Sequence, residues 1–328
     1  MAVIAVAGGT GNVGRTLVEA IIATGKHDVK ILARKVHFQD SESAIIPNAE
    51  VEKATGASIL VVDYADVAAT AKALEENNVH TVISAINTLA LPGAPEPQEI
   101  ELIKAADASK TTKRFITSGW GIPHNESQIN DLASVPHKLR AQAFVKNETG
   151  LEHTVIHNGF FLDYWGPRAE KSHMTPLALF VDIPGHAAAI PGTGDVPAVF
   201  THTRDVARFV AAALDLDRWE PEFYVVGDKL TLNELLAIAE SAKGAKFNVA
   251  YDSVEKLRAS EPTELPSQIP AYPFFPKQAY QAFAATFGLW FAGGVFDIPP
   301  AGTETLNDVF PDIKTWKAKD LLEKSWKA

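Results

Sequence analysis

Three glycines near the amino end of the chain have the spacing of a phosphate-binding turn. Gly9, Gly11 and Gly14 fit the pattern G-x-G-x-x-G, and the same stretch also reads Gly8-x-x-Gly11-x-x-Gly14. Glycines so placed permit a tight turn, close approach of the backbone to a pyrophosphate, and close packing of the next helix on the strand. Backbone N–H groups and the positive end of the helix dipole would then attract the phosphates. The sequence therefore predicts a bound dinucleotide.

Two basic residues, Arg34 and Lys35, follow the second predicted strand. Arg34 lies about 20 residues after Gly14, where an NAD-binding fold places the carboxylate that binds the ribose 2′-hydroxyl. A guanidinium at this point would instead pair with a 2′-phosphate. The alternative is that Arg34 is a solvated basic residue at a strand end and does not bind a cofactor. We predict NADP(H) as the cofactor rather than NAD(H).

The elements that must position these residues alternate between strand and helix. Residues 3–7 are small or branched and apolar, as in a strand buried on both faces, and apolar residues then recur at helical spacing as far as Ile22. Further strands are predicted at 29–33, 59–62, 81–86, 114–117 and 154–157, with helices over about 98–109 and 136–148. This order predicts an α/β fold with a doubly wound parallel sheet. Ligands of such sheets bind outside the carboxyl ends of the strands.

The alternation breaks after Phe161. Residues 162–200 are rich in Pro, Gly, Trp and His, which indicates loops and short strands, and residues 274–296 form an aromatic run. We predict two domains. They are an NADP-binding domain of residues 1–158 with about 203–227, and a smaller α+β substrate lobe of residues 159–202 and 228–328.

Four passages together resemble the NmrA-like and isoflavone-reductase-like branch of the atypical short-chain dehydrogenases. They are the turn from Gly8 to Gly14, the segments Lys113–Gly121 and Gly150–Phe161, and Leu306–Asp312, which is similar to fungal members. In the second passage, Gly119 and Trp120 stand where the family has Glu-Phe. The resemblance spans nearly the whole chain. It implies a Rossmann sheet of about seven strands, NADPH, and a cleft closed by the C-terminal lobe.

The resemblance and the strand-end rule together predict the residues that bind the cofactor. Asp63 ends the third predicted strand, near the adenine in the family, although a turn or helix-capping aspartate explains it equally well. Ser118 follows the fifth predicted strand, where it would face the nicotinamide or serve as a turn residue. The predicted set is Gly8, Thr10, Gly11, Asn12, Val13, Gly14, Arg34, Lys35, Asp63, Ala85, Ile86, Asn87, Ser118, Gly119, Lys138, Asn158, Gly159 and Phe160.

Lys138 is the predicted catalytic residue, with Ser118 beside it. None of the six tyrosines is followed by lysine four residues later, which excludes the Tyr-x-x-x-Lys pair of the ordinary short-chain dehydrogenases. In the isoflavone-type reductases a lysine on the helix after the fifth strand acts alone. The resemblance implies this role for Lys138, with Arg140 and Lys146 as alternatives. A cationic lysine would hold the nicotinamide ribose or stabilise a developing oxyanion. The alternative is that Lys138 is a surface lysine on an exposed helix face, without a role in the reaction.

Aromatic side chains cluster after the fifth and sixth predicted strands. They favour an apolar, aromatic-lined substrate pocket, although aromatic rings also build ordinary cores. His124 could relay a proton near neutral pH. The predicted substrate-binding residues are Trp120, His124, Phe160, Phe161, Tyr164 and Trp165.

The composition excludes several other classes of protein. A balance of 30 basic and 40 acidic residues gives a net charge of −10, which argues against a nucleic-acid-binding surface. The chain has no cysteine, hence no disulfide or thiolate chemistry, and it carries no metal-binding motif. No apolar run reaches the roughly 18 residues of a membrane span, and the first strand leaves no room for a signal peptide. We expect a cytoplasmic monomer or homodimer without nucleic-acid or membrane partners.

Two functions stay open at this point. The first is an NADPH-dependent reductase that transfers hydride to a ketone, enone or quinone-like carbon of a small apolar or aromatic secondary metabolite. The second is a non-catalytic NADP(H)-sensing regulator that acts through a protein partner, which the missing Tyr-x-x-x-Lys pair permits. The aromatic-rich region and the full-length resemblance to reductases favour the first.

Overall fold

The computed structural model describes residues 1–34, 48–89, 96–167 and 169–327. These residues form two compact units, which are 1–157 with 207–223 and 158–206 with 224–328. The chain therefore enters the second unit after the sixth strand, returns to the first for one short segment, and then completes the second.

A seven-stranded sheet is the centre of the first unit. Its strands are β1 (Val3–Ala7), β2 (Asp28–Arg34), β3 (Ser58–Val62), β4 (Val79–Ser84), β5 (Arg114–Gly121), β6 (Glu152–His157) and β11 (Glu222–Tyr224). Their spatial order is β11-β6-β5-β4-β1-β2-β3, and the strand pairs from β6 to β3 are parallel. This is the doubly wound arrangement of the NAD(P)-binding Rossmann fold, so the predicted fold class is confirmed.

Helices alternate with the strands of this sheet. They are α1 (Asn12–Ala23), α2 (Asn48–Thr55), α3 (Val67–Glu76), α4 (Glu99–Ala108), α5 (Ser134–Glu148) and α6 (Thr203–Ala213). Buried apolar residues of the sheet and helices, among them Leu74, Leu102 and Phe115, form one continuous core. The burial of β1 on both faces explains its unbroken run of small and branched apolar residues.

Two strand ends near the predicted site differ from the sequence prediction. Strand β4 ends at Ser84 and leaves Ala85 and Ile86 beyond the sheet. Strand β5 continues to Gly121, because its register with β6 shifts after Thr117 and resumes at Gly121. The irregular part of β5 contains Ser118, which therefore lies within the strand rather than at the strand end where it was predicted.

The second unit contains two three-stranded sheets. Its strands are β7 (Phe160–Phe161), β8 (Val181–Asp182), β9 (Ala187–Pro191), β10 (Ala198–Thr201), β12 (Asp228–Leu230) and β13 (Asn248–Asp252). The sheet orders are β12-β10-β7 and β13-β9-β8. Its helices are α7 (Leu232–Lys243), α8 (Val254–Arg258), α9 (Lys277–Ala292), α10 (Leu306–Val309) and α11 (Ala318–Trp326).

Aromatic rings form the core of this second unit. Phe160 lies 5.4–5.7 Å, centroid to centroid, from five other rings. Those five rings belong to Tyr164, Trp165, Phe287, Phe291 and Phe296. Within the described part of the chain, every helix is too short or too polar to cross a bilayer.

Candidate active site

The glycine-rich turn joins β1 to α1 and has no room for side chains at two of its glycines. Gly8 has a φ of +74°, and a Cβ there would lie 2.5 Å from the Ala85 carbonyl oxygen. A Cβ at Gly14 would lie 2.2 Å from the Gly8 carbonyl oxygen. Gly11 caps α1 without a side-chain hydrogen bond, and Thr10, Gly11 and Asn12 are exposed. The turn therefore presents an open helix N-terminus of the kind that binds phosphate.

Arg34 lies at the carboxyl end of β2, close to this turn. Ala7 pairs with Leu32 across β1 and β2, so Arg34 extends two residues beyond the paired end of β1. The side chain is exposed and therefore accessible to a ligand. Lys35, the second predicted contact of a 2′-phosphate, lies outside the described residues.

Tyr64 joins the end of β2 to the glycine turn. Its buried hydroxyl donates to the Leu32 carbonyl oxygen at 3.0 Å and interacts with the backbone of Gly8. Burial raises the pKa of Tyr64, and the charge of Arg34 acts in the opposite direction. Sequence reasoning missed this residue, because a tyrosine after a strand gives no sign of the turn that it supports.

Asp63 occupies the turn after β3. Its carboxylate is exposed and accepts the Ala65 N–H at 3.0 Å, which is the contact of a turn aspartate. The neighbouring Asp66 caps α3 by accepting the Ala69 N–H at 2.9 Å. Contact between Asp63 and adenine stays a prediction.

The chain after β4 connects the glycine turn to Ser118. The Ala85 N–H donates to the Ala7 carbonyl oxygen at 2.8 Å, and the Ser118 hydroxyl donates to the Ile86 carbonyl oxygen at 2.8 Å. Asn87 is exposed, and its side chain accepts the Leu89 N–H. The predicted positions Ala85, Ile86 and Ser118 thus lie close together, where the chain leaves the carboxyl end of β4.

Gly119 and Trp120 pack inside the first unit. A Cβ at Gly119 would lie 2.0 Å from a methyl carbon of Val155, so this position has no room for a side chain. Trp120 is buried, and its indole N–H donates to the Ser84 carbonyl oxygen at 3.0 Å. The Trp120 ring therefore links β5 to β4. Its predicted contact with substrate stays a prediction.

Lys138 lies on α5, and the charge of a buried carboxylate, Glu99, acts on it. Withdrawal of the amine from water lowers the pKa of Lys138 to about 8, while the negative charge of Glu99 acts to raise it. Glu99 is 3% exposed, and its Oε1 accepts the Ser118 N–H at 2.6 Å. Burial raises the pKa of Glu99, opposed by the Ser118 N–H, the Ser84 hydroxyl and the Lys138 charge. A lysine and a carboxylate whose pKa values are shifted by burial make this part of the first unit a candidate functional site.

Sequence reasoning did not find Glu99. The residue begins α4, where an acidic side chain ordinarily stabilises the helix by its interaction with the positive end of the helix dipole. Nothing in its local sequence distinguishes a buried glutamate from an exposed one of that kind. Its burial is visible only in the tertiary structure.

His124 lies in the same part of the first unit. Desolvation lowers its pKa to about 3, and the charges of Lys138 and His157 act in the same direction. The imidazole is therefore neutral across the range in which enzymes usually work, and a proton relay that uses imidazolium at neutral pH is not favoured. His157 is buried at the end of β6, with its Nε2 atom 3.6 Å from a carboxylate oxygen of Glu222.

The two alternatives to Lys138 are placed differently. Arg140 is exposed and contacts His137 at 2.7 Å and Glu96 at 3.8 Å. Lys146 is exposed in the last turn of α5. Of the three candidates, Lys138 is the one that is withdrawn from water and acted on by the charge of Glu99.

The predicted contacts after β6 belong to the second unit. Asn158 is fully buried. Gly159 has a φ of +70°, and a Cβ at this position would lie 2.1 Å from the Val199 carbonyl oxygen. Phe160 lies in the aromatic core, and Phe161 pairs with Thr201 in the sheet of β7 and β10. Contacts of these residues with a cofactor or substrate stay predictions.

The second unit also contains a cavity of about 440 Å³, which lies within the size range of small-molecule pockets, about 300–1,000 Å³. Tyr164 and Trp165 line it, as do Met174, Tyr280 and Trp326. Two buried carboxylates, Asp163 and Asp182, also belong to its wall. The cavity is mostly apolar with a few polar groups, as small-molecule sites usually are.

The fold and the glycine turn define a Rossmann-fold nucleotide-binding protein. The NmrA-like family model matches residues 1–318, and the chain belongs to this family. It is 35% identical over 313 residues to Oxidoreductase BOA1 of Botryotinia fuckeliana, covering 94% of this chain and 95% of that protein. It is 26% identical to the phenylcoumaran benzylic ether reductase TP7 of Nicotiana tabacum, covering 96% of each chain.

Solved structures share the fold. The structure described as AtPrR2 with NADP+ and (+)pinoresinol has a TM-score of 0.74 and 22% identity, covering 98% of both chains. The leucoanthocyanidin reductase–NADPH complex from Vitis vinifera has a TM-score of 0.72 and 22% identity, covering 98% of this chain and 99% of the other. The predicted family is confirmed by the family match and by the relatives.

Proposed function

We propose that this protein is an NADPH-dependent reductase. It delivers hydride to a ketone, enone or quinone-like carbon of a small apolar or aromatic metabolite. The observation that carries this proposal is Lys138, an amine on α5 of the unit that contains the glycine turn, whose pKa is lowered by burial to about 8. The oxidoreductase and reductase relatives support the same class of reaction.

The first unit fits a dinucleotide on its own geometry. The exclusion of side chains at Gly8 and Gly14 leaves a backbone cradle, and the uncapped start of α1 would hold the pyrophosphate. Arg34 would bind the ribose 2′-phosphate by charge-assisted hydrogen bonds. Ala85, Ile86 and Ser118 would border the nicotinamide half.

The chemistry assigned to the chain itself is proton transfer and charge stabilisation. NADPH, when bound, supplies the hydride. The Lys138 ammonium would stabilise the negative charge that develops on the substrate oxygen, or donate a proton to it directly or through a water molecule. A pKa near 8 suits this role, because an acid is most effective when its pKa is close to the working pH.

We assign substrate recognition to the second unit. Its cavity is lined by Tyr164, Trp165 and other apolar side chains, which suits an aromatic or apolar ligand. One structural neighbour is a complex with (+)pinoresinol, an aromatic ligand, which supports the same substrate class. We therefore propose that the first unit binds NADP(H) and that the second unit binds the substrate.

A screen of NADPH oxidation against aromatic enones, ketones and quinones tests the proposal. Lys138→Ala is expected to lower turnover by about 100-fold or more, since general acid catalysis contributes about 10²–10⁴-fold. NADPH affinity should change little. Lys146→Ala removes an exposed lysine from the same helix and is expected to keep turnover.

A regulatory protein would give a different result in this screen from a reductase. Tight NADPH binding by calorimetry with no turnover of any compound would favour a redox sensor that acts through a protein partner. No binding of NADPH at all would contradict both functions. We further propose a cytoplasmic monomer or homodimer, which size-exclusion chromatography and cell fractionation would check.

A further inference from the structure

The cavity of the second unit has several polar side chains in its wall, and most of them bond to other groups of the same unit. The Asp163 carboxylate accepts the Ser172 hydroxyl at 2.5 Å and the Thr203 N–H at 2.8 Å. The Asp182 carboxylate accepts the Ser267 N–H and the Ser267 hydroxyl, each at 2.7 Å. These carboxylates and hydroxyls therefore have partners before any ligand enters the cavity.

Two indole rings and a tyrosine of the same wall are satisfied in the same way. The Trp165 indole N–H donates to the Val181 carbonyl oxygen at 3.0 Å, and the Trp326 indole N–H donates to the Trp165 carbonyl oxygen at 2.6 Å. The Tyr280 hydroxyl donates to the Ala178 carbonyl oxygen and accepts the Ala178 N–H, each at 3.0 Å. These three rings therefore offer a ligand their carbon atoms, because their polar atoms are already paired.

Tyr164 is the exception among the polar residues that the structure describes in this wall. Its ring packs on Phe160 at a centroid distance of 5.4 Å and is partly buried. Within the described part of the chain, its hydroxyl has no hydrogen-bond partner. Burial raises the pKa of Tyr164, and the charges of Asp163 and Tyr280 act in the same direction, so the hydroxyl keeps its proton. The cavity thus contains a hydrogen-bond donor that the protein itself leaves unpaired.

We infer that Tyr164 is a specificity-determining residue of this cavity, whose hydroxyl donates a hydrogen bond to a carbonyl or quinone oxygen of an otherwise apolar, aromatic ligand. This rests on the proposed function, because it narrows the substrate class of the same cavity. A ligand without an acceptor oxygen would displace water from the hydroxyl and leave it unsatisfied. Ligands with many hydroxyl groups are disfavoured, because the other polar side chains described in the wall are already paired.

Tyr164→Phe removes the hydroxyl and keeps the ring, and two probe compounds of nearly the same shape report the result. Acetophenone has a carbonyl oxygen, and isopropenylbenzene has a CH₂ group in its place. Loss of the hydrogen bond should weaken acetophenone binding by about 3- to 10-fold in Tyr164→Phe. Isopropenylbenzene binding should be unchanged or stronger. The comparison of variant with wild type cancels the difference in hydrophobicity between the two compounds.

Ligand-observed NMR titration of the full chain measures both dissociation constants, and it needs neither NADPH nor turnover. Tyr251→Phe is the matched control, because Tyr251 belongs to the second unit but is 55% exposed and its hydroxyl donates to Asn233. This control should leave both dissociation constants unchanged. Met174→Trp places a larger side chain in the cavity wall and should weaken the binding of both compounds, which checks that they bind in this cavity.

Three results would overturn the inference. They are equal changes for the two compounds in Tyr164→Phe, binding that Met174→Trp does not weaken, and no binding of either compound by the wild type. None of them affects the proposed reductase function if NADPH-dependent turnover of another compound is found. Conversely, a selective loss of acetophenone binding in Tyr164→Phe, with no turnover of any compound, would retain the inference and remove the reductase function. The two failures are therefore distinguishable.

Discussion

The two units build their candidate sites by different means. In the first unit the important groups are backbone atoms and strand ends. There Gly8 and Gly14 exclude side chains, and Ser118 is held by the Ile86 carbonyl oxygen. In the second unit the cavity depends on packed rings and buried carboxylates. A site made by backbone geometry leaves a short sequence pattern, whereas a site made by packing is spread over the chain.

Asp163 and Asp182 show how the second unit holds its cavity. Asp163 accepts the Ser172 hydroxyl at 2.5 Å and the Thr203 N–H at 2.8 Å. Asp182 accepts the Ser267 N–H and the Ser267 hydroxyl, each at 2.7 Å. These carboxylates fasten segments that are as much as 85 residues apart in sequence. Their hydrogen bonds offset the cost of burial and give the cavity wall a defined shape.

The largest expected effect is in the aromatic core of the second unit. Phe160→Ala removes a ring that contacts five others, and a buried Phe→Ala change costs about 3–5 kcal/mol. Phe274 is 85% exposed, so Phe274→Ala should change the free energy of unfolding by about 0.5 kcal/mol or less. Chemical denaturation measures both. Equal effects would show that the ring cluster does not hold this unit together.

Gly14→Ala is the corresponding change in the first unit. The added methyl would meet the Gly8 carbonyl oxygen at 2.2 Å and displace the turn. Loss of one or more hydrogen bonds to phosphate should weaken NADPH binding by about 10- to 100-fold. Gly25→Ala at the other end of α1 meets no atom within 4 Å and should keep NADPH affinity, although its φ of +65° will cost some stability. Calorimetric titration that finds equal affinities would contradict the proposed phosphate site.

Arg34→Ala tests which cofactor the first unit prefers. Removal of the guanidinium should weaken NADPH binding by about tenfold, because an exposed charge-assisted hydrogen bond is lost, and should leave NADH binding nearly unchanged. NADH serves as the control ligand, since it lacks the 2′-phosphate. Equal losses of affinity for the two nucleotides would show that Arg34 does not bind the 2′-phosphate.

The pH dependence of turnover follows from the titration of Lys138. The protonated amine is the active form, so activity should be full below the pKa of about 8 and fall above it, approaching tenfold per pH unit. His124 should add no acid limb near neutrality, because its pKa is about 3. The profile of kcat between pH 5 and 10 measures this. Activity that rises with pH would indicate that Lys138 acts as a base or does not take part.

Much of the first unit could be predicted from local patterns. The glycine turn needs particular residues at fixed spacing, and β1 needs apolar residues because both of its faces are buried. In the second unit, a capping box of Thr231 and Glu234 begins α7, and Gly244 ends that helix in the left-handed conformation. Each of these features depends on residues close together in the chain, so the sequence carries their signal.

The burial of Glu99 and the place of Phe160 could not be predicted in the same way. Glu99 is an ordinary helix-start residue until the fold buries it against the Ser118 N–H. Phe160 was predicted to contact cofactor and substrate, but its ring packs among five others from distant parts of the second unit. Burial and contact at such separations follow from how the whole unit folds.

The sequence by itself therefore determined the Rossmann sheet and the glycine-rich turn, whereas the resemblance to the isoflavone-type reductases implied Lys138 as the candidate amine. Backbone conformation and strand burial restrict residue types locally, and this is why those features can be read from the order of residues. Only the tertiary structure decided that the charge of a buried carboxylate, Glu99, acts on this amine and that burial lowers the pKa of Lys138 to about 8. Desolvation and opposite charge depend on which groups meet in space, and that is set by packing between elements far apart in the chain.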